Sequence, residues 1–237
     1  MRVISYNLRK NHARSELVGL LMQFHPDVLC LQECDPTDLP ADLAGLHLAD
    51  STRHNRLGLA VYYDDERFPR QETRTFTLKK SLHDRLLSPA YERLVGTRLK
   101  EAHGGVSFVV ASFHAAPLTA SNSLRRKQIT AAYGNLRALG QGAPTLMVGD
   151  YNYPIFQDRL VAHVGASGYE LSLSDTRTYT RYKVFRGHFD FVTSTGFTVG
   201  NVETLPGGDS DHRPILVDAQ RTGLSNAAPQ APADVPA

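Results

Sequence analysis

The run Pro144-Thr145-Leu146-Met147-Val148-Gly149-Asp150-Tyr151-Asn152 constrains the fold more than any other stretch of the chain. Thr145 to Val148 reads as a short, fully apolar strand, the pattern of a strand that is buried. Gly149 breaks the pattern, and Asp150 and Asn152 follow two residues apart. A buried strand that ends this way delivers its polar pair to the rim of a sheet, where α/β architectures build their sites. Residues i and i+2 of an extended chain can point the same way, which would set a carboxylate beside an amide. Aspartate accepts a proton or binds a hard cation, and the asparagine amide donates to oxyanions. Taken alone, the stretch fits a strand followed by an Asx turn equally well.

The same pattern recurs along the chain. Met1 to Tyr6 reads as a strand that ends in Asn7. Ala13 to Phe24 carries Leu17, Leu20, Leu21 and Phe24 at helical spacing and predicts an amphipathic helix. Val28 to Leu31 is a second short apolar strand, ending in Gln32-Glu33. Strand, helix, strand in this order points to layered α/β architecture. Gly58 to Tyr63 and Glu72 to Lys79 read as further strands. Glu92 to Leu99 and Val106 to Phe113 predict an antiparallel pair joined near Gly104-Gly105, with His114 directly after it. Ser121 or Ser123 caps a helix whose apolar stripe is Ile129, Ala132, Tyr133 and Leu136. A helix is expected over Ile155 to Val164, a loop over Thr176 to Arg186, and strands over His188 to Val192 and Pro214 to Val217. From about Arg221 the chain turns to Ala, Pro, Asn and Gln, so one domain over 1–220 and a disordered tail over 221–237 are expected.

Asn7, Glu33, His114, Asp150, Asn152, Asp211 and His212 therefore all border apolar strands, and Asp190 lies within one. A single strand-end polar residue is usually a solvated turn; the repetition is the signal. The set offers oxygen ligands, imidazoles and amides, and lacks cysteine. Cys30 and Cys34 have no second cysteine pair to make a zinc site or a disulfide framework. This argues for a hard cation, Mg²⁺, Mn²⁺ or Ca²⁺, held by one or two carboxylates together with a substrate phosphate. Asp190, between Phe189 and Phe191, needs a partner because an unpaired buried carboxylate costs several kcal/mol. His212 is the expected partner, and Asp–His pairing would fix its tautomer and favour its protonated form.

At these residues the chain resembles the endonuclease/exonuclease/phosphatase superfamily, the group of deoxyribonuclease I, abasic-site endonucleases, neutral sphingomyelinases and inositol-polyphosphate 5-phosphatases. The motifs, in order, are Ser5-Tyr6-Asn7, Leu31-Gln32-Glu33, Phe113-His114, Gly149-Asp150-Tyr151-Asn152, Phe189-Asp190-Phe191 and Ser210-Asp211-His212. The resemblance implies a four-layer α/β sandwich of two mixed β-sheets flanked by helices, with the site at one edge. It implies Glu33 as the principal metal ligand with Asn7 and Asp211 beside it. It implies His212 with Asp190 as the group that stabilises phosphoryl oxygens, Asp150 as the group that handles the attacking water, and Asn152 as a holder of water and phosphate. His114 matches the deoxyribonuclease I-like branch, in which this histidine pairs with a glutamate on an earlier strand. That region here is Asn55-Arg56-Leu57-Gly58, so His114 is left to lean on Asn55 or on nothing.

The implied reaction is in-line hydrolysis of a phosphate ester by water, without a covalent intermediate. DNA is the expected substrate; a phospholipid, a small phosphoester or a catalytically inactive binding module are the alternatives. Arg53/Arg56, Arg93/Arg98, Arg125-Arg126-Lys127 and Arg177/Arg181/Lys183/Arg186 are the basic clusters. The last is interleaved with Tyr179, Tyr182 and Phe185, which could stack on bases. Arg93, Arg181 and Lys183 are the expected substrate contacts. Pro154 stands where the 5-phosphatase branch carries arginine, and Asp190-Phe191 where it carries Asp-Arg, which lowers that reading. A net charge of +2 names no partner. No segment approaches the roughly 20 apolar residues of a membrane span. With Arg2 ahead of a short strand-like run, no secretion signal is read at the start, and a cytoplasmic monomer is expected.

Overall fold

The computed structural model describes residues 1–222 apart from 56, 82–91, 154, 156 and 182–186. Its strands are β1 (Arg2–Asn7), β2 (Val28–Cys34), β3 (Asp42–Leu43), β4 (Leu46–Ser51), β5 (Gly58–Tyr63), β6 (Arg70–Thr77), β7 (Glu92–Lys100), β8 (Ser107–His114), β9 (Thr145–Asp150), β10 (Glu170–Leu173), β11 (Asp190–Thr195), β12 (Phe197–Thr204) and β13 (Ile215–Arg221). They form one sheet in the order β12-β13-β1-β2-β5-β4-β3 and a second in the order β10-β11-β9-β8-β7-β6. The helices are α1 (Leu17–Phe24), α2 (Asn122–Gly140) and α3 (Gln157–Ala166).

Side-chain alternation builds the layers. Along β1, Val3 belongs to a core of Val28, Val61, Val95, Val110, Val148 and Val192, drawn from the facing surfaces of both sheets. Its neighbour Ile4 points the other way, to Leu17 and Leu21 of α1. The outer face of the second sheet meets Ile129, Ala132 and Leu136 of α2 and Leu160 of α3. Three cores between four layers result, which is the expected sandwich. The central strands read as unbroken apolar runs because both their faces are buried.

Each sheet contains one parallel pair among its described strands, β1 with β2 and β8 with β9; the other ladders are antiparallel. Parallel neighbours bring two carboxyl ends to one rim. The predicted antiparallel pair is β7 with β8. The expected helix over Ala13 to Phe24 is shorter: a 3₁₀ turn, His12–Glu16, precedes α1. Left-handed Arg9, Lys10 and Asn11 block helix growth further upstream. Weakly patterned β3, β4, β10 and β12 were not anticipated; residues 223–237 of the expected tail lie outside the described residues. No described helix is long and apolar enough to cross a membrane.

Gly149 has φ +145°, and a Cβ there would run into the carbonyl oxygen of Phe113 on the parallel neighbour β8. Gly149→Ala is therefore expected to cost about 3 kcal/mol or more, from left-handed strain and overpacking together. Thermal unfolding of the variant checks this; an unchanged melting temperature would contradict it.

Candidate active site

Asn7 closes β1, Glu33 lies at the end of β2, His114 closes β8 and Asp150 closes β9. The two parallel pairs thus supply four side chains to one rim. The Asn7 amide nitrogen donates to Asp150 Oδ2 at 3.1 Å and joins the two sheets there directly. Glu33 sits at a register shift of β2 against β5, with φ +53°, and its Oε2 accepts from the Lys10 backbone N–H at 3.0 Å. Arg9, Lys10, Asn11, Glu33 and Asn152 are all left-handed, five of the eight such non-glycine residues described. Each costs on the order of 1–3 kcal/mol. The cost is met by backbone bonds such as Leu8 N–H to Gln32 O and Asn11 N–H to Glu33 O, both 2.8 Å.

Asp150 is 2% exposed. Its Oδ1 accepts from the Asn152 backbone N–H at 2.8 Å, and Oδ2 accepts from the Asn152 amide at 3.0 Å. The carboxylate and the amide two residues on do sit side by side, and the Asx turn and the site are one structure. His114 Nε2 at 3.5 Å and His212 Nε2 at 3.8 Å face the same Oδ2. Asp190 opens β11 directly opposite Asp150 on β9. It is 1% exposed, and its Oδ2 lies 2.8 Å from His212 Nδ1. Asp190 therefore has the histidine partner that its burial demands. Thr178 Oγ1 accepts from the backbone N–H groups of Phe189 and Asp190, each at 3.1 Å. Ser210 Oγ donates to Asn7 O at 2.6 Å and accepts from His212 N–H at 3.1 Å. The His212 ring packs edge-on against Tyr179, 4.9 Å between centroids.

Charge at this rim follows from these neighbours. Burial opposes the charged form of His212, but the carboxylates of Asp190 and Asp150 outweigh it and raise the imidazole to about 10. Burial pushes the Asp150 carboxyl up to about 7; the His212 charge pulls it down, while Asp190 and Glu33 push it up. Burial, with the charges of Arg93 and His212, drives His114 down to about 3. The rim thus favours a charged His212 and a neutral His114, and holds the Asp150 carboxyl above the usual carboxylate range, a direction suited to accepting a proton.

Three ligand atoms within 4.8 Å of one another come from Asp150, Asp190 and His212, a different group from the expected Glu33, Asn7 and Asp211. His212 Nδ1 is committed to Asp190, and its charge already serves both aspartates. Glu33 and Asp150, both within 4.0 Å of His114 Nε2, are the oxygen donors with charge left over, and an oxygen set suits a hard cation such as Mg²⁺. The upward pressure of Glu33 on Asp150 is what such a cation would relieve. Asn7 turns its NH₂ to Asp150 and its Oδ1 to Arg9 N–H, so its amide must rotate to offer oxygen. Asp211 stands at the outer rim between Arg9, 3.8 Å, and Arg181, 3.6 Å.

Of the expected substrate contacts, Arg181 is thus brought to the rim through Asp211. Arg93 is 4% exposed, and its NH1 donates to the carbonyls of His114 and Ala115 at 3.0 and 2.8 Å, which positions the His114 loop. Lys183 lies outside the described residues. Asn55 exchanges hydrogen bonds with the backbone of Glu92, and the carboxylates beside His114 are Glu33, at 4.0 Å, and Asp150. Arg125 is buried and holds the carbonyls of Ala116 and Pro117, while Arg126 donates to Tyr153 Oη at 2.7 Å. Sequence reasoning missed Glu16, whose carboxylate accepts from Tyr6 Oη at 2.7 Å and from the Asp209 N–H. It anchors the loop that leads to His212, and a glutamate beside an amphipathic helix carries no mark of that.

The family model described as Endonuclease/Exonuclease/phosphatase family matches residues 4–212. A UPF0294 protein of Yersinia enterocolitica is 25% identical over 230 residues, covering 93% of this chain and 84% of that protein. The human Nocturnin catalytic domain with bound sulfate superposes with a TM-score of 0.73 at 19% identity, covering 94% of this chain and 93% of that one. A mannosyl-6-phosphatase of Bacteroides thetaiotaomicron does so with 0.72 at 18% identity, covering 93% and 99%.

The fold favours protonated His212, so the His212–Asp190 pair contributes stability in full below the ordinary histidine value of about 6.5. That contribution is lost as pH rises towards about 10. Asp190→Asn removes the largest upward influence on His212 and leaves burial opposed by Asp150 and Asp211 alone. His212 is then expected to titrate lower than in wild type in an NMR pH series on the metal-free protein, and a titration unaltered from wild type would refute the assignment.

Proposed function

Because the chain belongs to the endonuclease/exonuclease/phosphatase family, we propose that it is a divalent-metal-dependent phosphoester hydrolase, with DNA phosphodiesters as its substrate. The observation that carries this reading is the buried His212 imidazolium, 2.8 Å from Asp190 and 3.8 Å from Asp150. Asp190 accepts the hydrogen bond from Nδ1–H, which leaves the Nε2–H directed to the side of Asp150, where it stabilises negative charge on a phosphoryl oxygen. Asp150 orients the attacking water and accepts its proton. The water oxygen bonds to phosphorus as the ester bond opposite it breaks, and the leaving alkoxide takes its proton from solvent water. Asn152 locks the Asp150 carboxylate and offers its remaining amide hydrogen to a phosphoryl oxygen. His114, neutral at pH 7, serves as a hydrogen-bond partner and not as an acid. A divalent cation bound by Glu33, with Asp150 and a rotated Asn7 in reach, would supply charge neutralisation for the phosphoryl oxygens.

Nucleic acid is favoured by the basic outer rim, where Arg9 and Arg181 flank Asp211. A small phosphoester is the second reading, supported by the near-complete mutual coverage with the mannosyl-6-phosphatase.

The test is turnover with Mg²⁺ or Mn²⁺ on supercoiled plasmid, abasic duplex, sphingomyelin, inositol phosphates and a hexose 6-phosphate in parallel. Plasmid nicking is expected, with a negative dependence on salt. Release of phosphate from the hexose without nicking would install the second reading. His212→Ala is expected to lose about 10²–10³ of the rate, the range for one oxyanion-stabilising donor. Glu33→Ala is expected to abolish both Mg²⁺-dependent turnover and the rise in melting temperature that Mg²⁺ gives the wild type. Full retention of either would sink the corresponding role.

A further inference from the structure

Almost every arginine among the described residues is already engaged. Arg2, Arg9, Arg14, Arg53, Arg67, Arg74, Arg181 and Arg221 pair with carboxylates. Arg70, Arg93, Arg98, Arg125 and Arg137 donate to backbone carbonyls, Arg126 donates to Tyr153, and Arg159 has a partner as well. Arg177 and Arg213 are the exceptions: both are exposed, and neither side chain has a hydrogen bond or an ion pair among the described residues. These two line the same cleft, with Asp175, Tyr179, Thr180 and His188.

The cleft adjoins His212 through one of its walls, Tyr179. Residues 178–180 run antiparallel to residues 211–213: Tyr179 bridges His212, Thr180 N–H donates to Asp211 O at 2.9 Å, and Arg213 N–H donates to Thr178 O at 2.8 Å. Tyr179 is a wall of the cleft and packs its ring on His212. Arg213 is the residue after His212, and Arg177 is two residues before Tyr179. The one carboxylate in the lining, Asp175, has its Oδ1 tied to the backbone N–H groups of Thr176 and Thr204 at 2.7 and 2.8 Å, and two guanidinium groups outnumber it. Two guanidinium groups without partners among the described residues give the cleft the charge an anion site needs, and arginine matches the tetrahedral oxygens of a phosphate bidentately.

We infer that the cleft between Arg177 and Arg213 binds a second phosphate of the substrate, the one next to the scissile phosphate in a nucleic-acid strand. The inference rests on the phosphoesterase reading and sharpens it: the enzyme would measure two consecutive phosphates, which a single-phosphate ester does not offer.

The test compares a single-stranded oligothymidylate with bis(p-nitrophenyl) phosphate, a diester with one phosphorus, in wild type and in the Arg177→Gln/Arg213→Gln double variant. For wild type, kcat/KM is expected to favour the oligonucleotide. The double variant is expected to lower the ratio of the two kcat/KM values at least tenfold, mainly through KM. It is also expected to reduce the salt slope of log KM for the oligonucleotide by about 0.7, the value for one phosphate contact on a single strand. An unchanged ratio and slope in the variant would overturn the second-phosphate site while leaving the hydrolase reading intact. So would a wild type that prefers the aryl diester. Turnover of neither compound by wild type would remove the hydrolase reading, and the second-phosphate site with it.

Discussion

A carboxylate taken out of water must be given a proton, a cation or a set of hydrogen bonds, and the rim of this sandwich holds two of them, Asp150 and Asp190, with the half-buried Glu33 beside them. One imidazolium, His212, stands against that charge. Its Nδ1 serves Asp190 and its Nε2 faces Asp150. The two amides of Asn7 and Asn152 then share the remaining oxygen valences of Asp150. The result is an under-compensated cluster: Asp150 is driven up towards neutrality by burial and by Asp190 and Glu33, and the charges of Arg93 and His212 help keep His114 uncharged. The chemistry of the rim follows from this imbalance.

The fold exists in a form that can hold such a cluster. Parallel pairing of β1 with β2 and of β8 with β9 sends four strand ends in one direction, and the face-to-face packing of the sheets puts the two pairs opposite each other. Gly149 permits the close approach of β9 to β8 just before Asp150. The register shift at Glu33 turns that residue out of the ladder. Left-handed residues concentrate here because the chain must reverse within a few residues of each strand end to aim its side chains at a common point. Behind them, buried arginines act as scaffolding: Arg93 and Arg125 together hold four consecutive carbonyls, those of His114, Ala115, Ala116 and Pro117.

How much of this the sequence discloses depends on the range of the interaction. The strand ends Asn7, Glu33, His114, Asp150 and Asn152 were legible because an apolar run followed by a polar residue is a local signal. The need of Asp190 for His212 was legible because a charge between two phenylalanines has few physical solutions. Strands such as β4 and β12 were not, since half-exposed strands with mixed composition lack a clear period. The role of Glu16 is set by Asp209, 193 residues away, and no local pattern encodes that. Arg93 was read as a phosphate contact for its charge; its burial turns the same charge towards carbonyls. The charged run Arg125-Arg126-Lys127, whose bland reading is a solvated face, includes two structural ties. Asp211 was grouped with Glu33 by motif, while in space it belongs to Arg9 and Arg181.

The same charge balance bears on what can enter the site. A phosphodiester adds one negative charge to a rim with three carboxylates. At an effective dielectric constant of about 20, each pair of like charges near 4 Å apart opposes entry by about 4 kcal/mol. His212 offsets one such repulsion at most, because its charge is already shared by two aspartates. Binding therefore requires positive charge beyond the imidazolium. Glu33 and Asp150 offer oxygen donors that a divalent cation would satisfy, and Arg177 and Arg213 offer guanidinium charge that nothing else among the described residues uses. The cation would act on the phosphate that reacts and the arginines on the one beside it, so the two requirements are separable. A substrate with one phosphate depends on the first alone, and a strand of nucleic acid draws on both.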